Sequence, residues 1–379
     1  MTSNHATEIA IVGAGIVGLA HALAAARRGH RVTVFERSER AVGASIRNFG
    51  MVWPIGQPPG HLRDRAMRSR QIWLEMADKG DFFRDPVGSL HLAYHPDELA
   101  VIEEFVDIAK PAGYAVQLLT AGEVAQKSPA AITQGLLGAL WSETEVIVDA
   151  REAIATLPQV LASAFNVDFR FGSTVTEINN PHLTVNGETW TADHIFVCSG
   201  ADFETLYPEV YRHSGITKSK LQMMRTAPQP LDHRIGPALC GGLTLTHYAA
   251  FADCPSLPTL KQRIHVEMPF AVNWHIHVMM SQNGLGELIL GDSHEYGLTF
   301  DPFDRADINQ FVLDYLQGFA RVPDPTITAT WHGIYAKLPG KTEFIAHPEA
   351  GVTIVNGLSG AGMTLSFGLS EEVIDKVLA

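Results

Sequence analysis

The run Gly13-Ala14-Gly15-Ile16-Val17-Gly18 has the spacing of a loop that receives a pyrophosphate, and Glu36 closes the unit that follows it. Each glycine has its own task in this reading. Gly13 permits a tight turn, Gly15 lets backbone approach the phosphates, and Gly18 lets a helix pack closely on strands. Ile16 and Val17 open that helix, whose free N–H groups and dipole would hold the anion. Glu36 would accept hydrogen bonds from adenosine ribose hydroxyls, and its charge disfavours a 2′-phosphate, which argues against NADP.

A second loop of the same kind lies far along the chain, at Asn356-Gly357-Leu358-Ser359-Gly360-Ala361-Gly362-Met363-Thr364. Its helix start suits a negative charge at the other end of the same ligand. Between these two lie smaller candidates. Gly43-Ala44-Ser45-Ile46-Arg47-Asn48-Phe49-Gly50 could wrap a polar ligand closely or be an ordinary surface loop. Cys198-Ser199-Gly200-Ala201 follows an apolar run, where ligands sit in parallel sheets, and Val175 could offer backbone to an adenine edge. Trp53 is either core or a cavity wall. His275 and His277 flank Ile276 and would share a strand face, but no third ligand stands at a diagnostic spacing, so no metal is expected. The polar run 291–297 is either a turn or a site wall.

The elements that must position these groups follow from periodicity. Residues 9–12 read as a buried strand, 16–28 as an alanine-rich helix stopped by Gly29, and 31–35 as a second strand. Residues 63–79 have helical periodicity, with Arg63, Arg65, Arg68 and Arg70 expected on a solvated face. A strand is expected over 87–93 and a helix over 98–112. Another helix begins at the Thr120/Glu123 capping box. A helix over 151–164, a strand over 167–171, a hairpin about Asn186-Gly187 and a strand leading to Cys198 return to the nucleotide-binding pattern. Residues 221–251 and 264–291 read as antiparallel sheet, 304–319 as helix, 331–337 as strand, and 352–355 as strand before a final helix. The resulting division assigns 1–80, 145–215 and 325–379 to a cofactor domain and 81–144 and 216–324 to a substrate domain.

Length and composition agree with an enzyme of two interleaved domains. The chain has 379 residues, long enough for a large core, and carries 28 Lys plus Arg against 41 Asp plus Glu. Its net charge of −13 argues against nucleic-acid or anionic-membrane partners. Cys198, Cys240 and Cys254 have no metal-like spacing and fit a reduced, cytoplasmic protein. The polar stretch 1–7 lacks the pattern of a secretion signal, and no apolar run is long enough to span a bilayer.

Taken together, the 13–36 unit, the 43–50 loop, Val175, the Cys198 to Ala201 turn and the 357–364 loop resemble the FAD-dependent D-amino-acid oxidase superfamily, in particular its glycine oxidase and sarcosine oxidase branch. The resemblance implies an α/β architecture. A Rossmann-like FAD-binding domain of the glutathione-reductase type would interleave with an antiparallel-sheet substrate domain. It implies FAD contacts at Gly13, Gly15, Ile16, Gly18, Glu36, Arg37, Ala44, Ser45, Phe49, Gly50, Met51 and Val175. Leu358 to Thr364 would cover the flavin pyrimidine edge, and Val17, Arg47, Asn48, Ser199 and Gly200 join the contacts from the residue reading. No cysteine stands where the sarcosine branch tethers its flavin, so FAD is expected to be non-covalent. The substrate-binding Arg of a Gly-Leu-Arg-Pro stretch is replaced by Tyr335 within Gly333-Ile334-Tyr335-Ala336-Lys337, which disfavours an ordinary α-amino acid.

The strings 47–54, 291–297 and 331–337 are similar to flavin oxidoreductases associated with phosphonate catabolism. That likeness implies a 2-aminoethylphosphonate or N-methyl-2-aminoethylphosphonate substrate. Hydride transfer to flavin N5 and imine hydrolysis would give phosphonoacetaldehyde, with O2 as electron acceptor. Lys337, Tyr335, His332 and Arg47 are the candidate phosphonate binders, and His294 could orient the amine or an oxygen-reactive pocket. The rival readings are a glycine or sarcosine oxidase, a flavin dehydrogenase feeding a quinone or partner protein, and a non-catalytic nucleotide-binding module.

Overall fold

The computed structural model describes residues 7–378, so all of the polar leader except Thr7 lies outside the described residues. Glu8–Val12 and Arg31–Glu36 are buried parallel neighbours, joined by the helix Ile16–Arg27. Short β-branched and aromatic runs bounded by glycine favour this strand-helix-strand crossover. They lie within a six-stranded sheet of order Phe344–Ala346, Val352–Asn356, His194–Val197, Glu8–Val12, Arg31–Glu36, Asp168–Phe171. Only the Phe344–Ala346 edge strand is antiparallel. Because the other strands run the same way, the turns at Gly13, Cys198 and Gly357 emerge at one edge of the sheet.

Helices from distant parts of the chain cover this sheet. Gly362–Val377 packs against both Ile16–Arg27 and His61–Gly80. Trp73 fixes one contact, donating its indole N–H to the Met363 carbonyl at 2.7 Å while its ring meets Phe367 edge-on. The expectation of an exposed arginine face on His61–Gly80 is wrong for two residues. Arg63 and Arg65 are buried, Arg63 over the Tyr114 ring and Arg65 between Glu343 and Glu372. Partners from other segments hold these guanidinium groups, although Arg63 Nη1 is buried without a hydrogen-bond partner, and helical periodicity cannot reveal such partners.

A nine-stranded, largely antiparallel sheet forms the second layer. Its spine is the pairing of Thr217–Pro228 with Ile327–Lys337, a strand that runs from the 325–379 segment into this second sheet. Two stretches expected to be continuous sheet are interrupted. After Ala238–Cys240 the chain turns through Gly242–Thr246 and Ala249–Phe251, and Leu257–Glu267 is a helix. His275 has a left-handed φ of 45° in the turn before Met279–Gln282, so His275 and His277 do not share a strand face. The polar residues concentrated here serve a cavity wall instead of a pleated surface.

Candidate active site

The two layers enclose one continuous cavity of about 930 Å³. Part of its wall is built by the first glycine loop. Gly13 has φ +104°, and a Cβ there would sit 2.5 Å from the Cys198 carbonyl oxygen, so only glycine fits. Gly15 faces Ser45, whose hydroxyl accepts the Ile16 N–H at 2.9 Å. Ser45 takes only the first N–H of the Ile16–Arg27 helix, its N-cap Gly15 has no side chain and no acid occupies its first turn, which leaves the rest of its positive end to an anion. Glu36 accepts N–H bonds from Ala14 and Ser38, both at 3.0 Å, with lone pairs remaining for ribose hydroxyls.

Of the remaining proposed cofactor contacts, Val17, Arg37, Ala44, Ser45, Arg47, Asn48, Phe49, Met51, Val175, Ser199 and Gly200 line the same cavity. Asn48 shapes its loop by donating to the Ala44 and Ser45 carbonyls and accepting the Gly50 N–H. Gly18 and Gly50 stand behind the wall. Added Cβ atoms at these glycines would strike the Gly13 and Val148 carbonyl oxygens, each at 1.9 Å, so their role is close packing.

Leu358, Ser359, Gly360, Ala361, Gly362, Met363 and Thr364 line the same cavity, where the Gly362–Val377 helix begins without a side-chain cap. Thr364 accepts the Trp53 backbone N–H at 2.9 Å, binding this loop to the 51–56 segment. Two helix starts side by side on one cavity, with a Cβ at Gly362 falling 3.6 Å from Ile16, fit a ligand that presents a pyrophosphate to one and an electron-accepting ring to the other. FAD has that form.

Near the second loop the cavity is also lined by His247, Tyr248, His277, Asp292, His294 and Tyr335. Backbone pairing explains the approach of His277 to Asp292, since each accepts the other's N–H, at 3.2 and 2.8 Å. His277 Nε2 lies 3.0 Å from one Asp292 oxygen, and His294 Nε2 lies 3.8 Å from the other. The His247 ring lies over His277, with centroids 3.8 Å apart, and 5.0 Å from the His294 ring. One ring nitrogen from each of His247, His277 and His294 lies within 4.8 Å of the other two, a meeting of three imidazoles that the sequence spacing did not show.

Burial sets the charge states here. It pushes His294 down to about 4 against the opposing pull of Asp292. Burial, followed by the nearby His277, His294, Lys337 and His275, holds His247 well below its ordinary value. Burial also pushes the Asp292 carboxyl up, but His277 and His294 outweigh it and leave the group below its ordinary value. The Tyr248 and Tyr335 hydroxyls are raised, chiefly by burial, and stay protonated as donors.

The expected substrate residues divide into two groups. Arg47, Tyr335 and His294 line the cavity. A Cβ at Gly360 would lie 3.5 Å from the Tyr335 hydroxyl, so that group stands directly over the second glycine loop. Lys337 and His332 are not on the wall. Lys337 donates to the Tyr296 hydroxyl at 3.1 Å, and His332 Nδ1 pairs with Asp304 at 2.8 Å. The sequence reading missed His247, Tyr248 and Asp292 as site residues. Asp292 belongs to the polar run 291–297 noted as a possible wall, whereas nothing adjacent to His247 marks it.

The comparisons agree with this geometry. A glycine oxidase from Geobacillus kaustophilus (strain HTA426) is 27% identical over 208 residues, covering 52% of this chain and 55% of that protein; the match spans about half the relative's length. The crystal structure of glycine oxidase from Geobacillus kaustophilus superposes with TM-score 0.75 at 22% identity, covering 99% of this chain and 95% of that one. L-proline dehydrogenase from P. horikoshii gives 0.74 at 21% identity, covering 98% and 94%. The FAD-bound L-alpha-glycerophosphate oxidase from Mycoplasma pneumoniae gives 0.73 at 17%, covering 99% and 95%. These structural likenesses are likenesses of fold. The family model of FAD dependent oxidoreductases, DAO, matches residues 8–376. A cavity with two anion-holding helix starts, in a chain matched by that model along nearly its whole length, identifies the protein as a member of the DAO family of FAD-dependent oxidoreductases.

Proposed function

We propose that the protein oxidises a small amine bearing an oxyanion, with 2-aminoethylphosphonate or its N-methyl derivative as substrate. The products are phosphonoacetaldehyde and ammonia or methylamine. The observation that carries this reading is the wall near the second glycine loop, where Arg47, Tyr248, Tyr335 and three imidazoles converge on one space. Several neutral donors and one guanidinium suit the three oxygens of a phosphonate. The two glycine loops would hold FAD non-covalently, and the bound flavin would supply an acceptor for the hydride on the carbon carrying nitrogen.

The protein's own part is positioning and exclusion of water. Trp53, Leu221, Met223 and Met279 supply apolar walls that orient the C–H bond. The Arg47 guanidinium is steadied by donating to the His332 carbonyl at 3.1 Å, and its loop packs on Gly333. Lys337 and His332 contribute from outside the wall, Lys337 by its field and His332 by holding Arg47. The glycine oxidase relative supports a second reading, a small amino acid with its carboxylate held by the same donors.

Anaerobic mixing of the flavoprotein with 2-aminoethylphosphonate, its N-methyl derivative, glycine and sarcosine separates the two. Bleaching of the flavin by either phosphonate is expected, and bleaching by glycine or sarcosine alone refutes the phosphonate reading. Peroxide release on admitting air is the expected sign of an oxidase. Its absence, with rapid turnover on an added quinone, would make O2 the wrong acceptor.

A further inference from the structure

An amine gives up hydride from carbon only when its nitrogen lone pair is free, so an arriving ammonium must first lose a proton. The histidine and aspartate wall contains a place for that proton. His294 Nδ1 lies 3.1 Å from the His275 carbonyl oxygen, which can only accept, so Nδ1 carries the hydrogen of the neutral ring. Its Nε2 is then a bare lone pair, and it lies 3.8 Å from an Asp292 carboxylate oxygen with no donor bonded to it. Two acceptors facing each other this closely favour a proton on the nitrogen. The other Asp292 oxygen lies 3.0 Å from His277 Nε2, outside hydrogen-bond geometry, so the buried carboxylate retains unused accepting capacity.

We propose that His294 Nε2 takes the proton from the substrate ammonium and that Asp292, as a positioning residue, holds the resulting imidazolium in place. The proposal rests on the amine-oxidation reading above. The ammonium N–H bond breaks and leaves its electron pair on nitrogen, while an N–H bond forms on the imidazole. Hydride can then leave carbon, and the proton remains in the site opposite the substrate's oxyanion.

The charged neighbours oppose this in the empty site and support it in the filled one. His277 and His247 face His294 from separate segments, Lys337 acts from the long strand, and the Tyr296 and Tyr335 rings lie 6.4 Å away. Burial above all, with His277 and Lys337 acting in the same direction, keeps the ring neutral, ready to accept. An oxyanion entering the same space favours the charged ring, while loss of water weakens the ammonium. Substrate binding thus brings the two proton affinities together.

The test uses holoenzyme and a ligand that binds without reacting. 2-Aminoisobutyrate and its phosphonate counterpart, (2-amino-2-methylpropyl)phosphonate, have no hydrogen on the carbon bearing nitrogen. Their binding is followed by the flavin spectrum, and proton release by calorimetry in buffers of different ionisation enthalpy at pH 8. The wild type is expected to release almost no proton and to bind with nearly constant affinity across this pH range. His294→Gln is expected to release about one proton per site, its affinity rising about tenfold per pH unit below the amine's own pKa. Asp292→Asn should shift toward the same behaviour. Release of about one proton by the wild type overturns the proposal whether or not the variants fold, as does a His294→Gln count equal to wild type. If neither ligand perturbs the flavin, the amine-oxidation reading fails, and this inference with it.

Discussion

His21 is enclosed on the Ile16–Arg27 helix, its Nδ1 2.8 Å from the Val17 carbonyl and its Nε2 buried without a partner. Burial pushes it down to about 4 from 6.5, so between those values the unfolded chain binds a proton that the folded chain refuses. Its stabilising effect is full above pH 6.5 and is lost as pH falls toward 4, on the order of 3 kcal/mol. Urea midpoints should therefore fall between pH 7 and 5, and the fall should be smaller in His21→Leu. An equal fall in both would show that other groups govern acid sensitivity. At Gly15, alanine would place a Cβ 3.1 Å from Ser45 Oγ, in the loop whose spacing suits a pyrophosphate. Gly15→Ala should keep the melting temperature of the flavin-free protein within a few degrees, yet lose at least about tenfold in FAD affinity by spectral titration. The glycines were legible in the sequence because a phosphate loop needs neighbours in the chain. His247, His277 and Asp292 come together from three segments, and no local spacing encodes their meeting.

Among the elements, Ala150–Phe165 owes its start to Asp149, which accepts N–H bonds from Arg151 and Glu152 and is also bonded by Asn283. Asp149→Ala should cost about 1–2 kcal/mol in denaturant unfolding. A null effect would mean that Asn283 and Arg151 do not depend on it. The His61–Gly80 helix is anchored through Arg65 to Glu343 and Glu372. Both carboxylates are partly solvated, so Arg65→Met should cost about 3 kcal/mol or less at neutral pH. Burial raises Glu343, but Thr342 and Arg65 outweigh it and hold the group below its ordinary 4.5. Its stabilisation is present above that value and disappears as pH falls through the lower folded value. The gap between wild type and Arg65→Met should consequently close in acid, and a constant gap would refute the pairing. Strands and helices with clear period or caps were readable, as the Thr120/Glu123 box on Ala121–Lys127 illustrates. The 238–275 stretch was not, because its apolar and histidine-rich composition serves turns and a cavity wall, with no pleat to impose alternation.

At the scale of the molecule, the cavity lies between a parallel sheet and a largely antiparallel one, and loops from both ends of the described chain close its cofactor half. Among the described residues no helix is long and apolar enough to cross a membrane. The Ile16–Arg27 and Gly362–Val377 helices pack together, and one ligand would touch the start of each. In the sequence the two glycine loops were visible separately, and the shared ligand explained why both exist. Their separation along the chain has a further physical consequence. A bound dinucleotide acts as a reversible staple across a very long loop, and its grip counts against the entropy of the open chain. Free FAD at a thousandfold excess over its dissociation constant would add about 4 kcal/mol to unfolding. Without it, the first and last helices keep only their packing on each other and on neighbouring elements, and fraying at their seam is where a protease should find the apoprotein first.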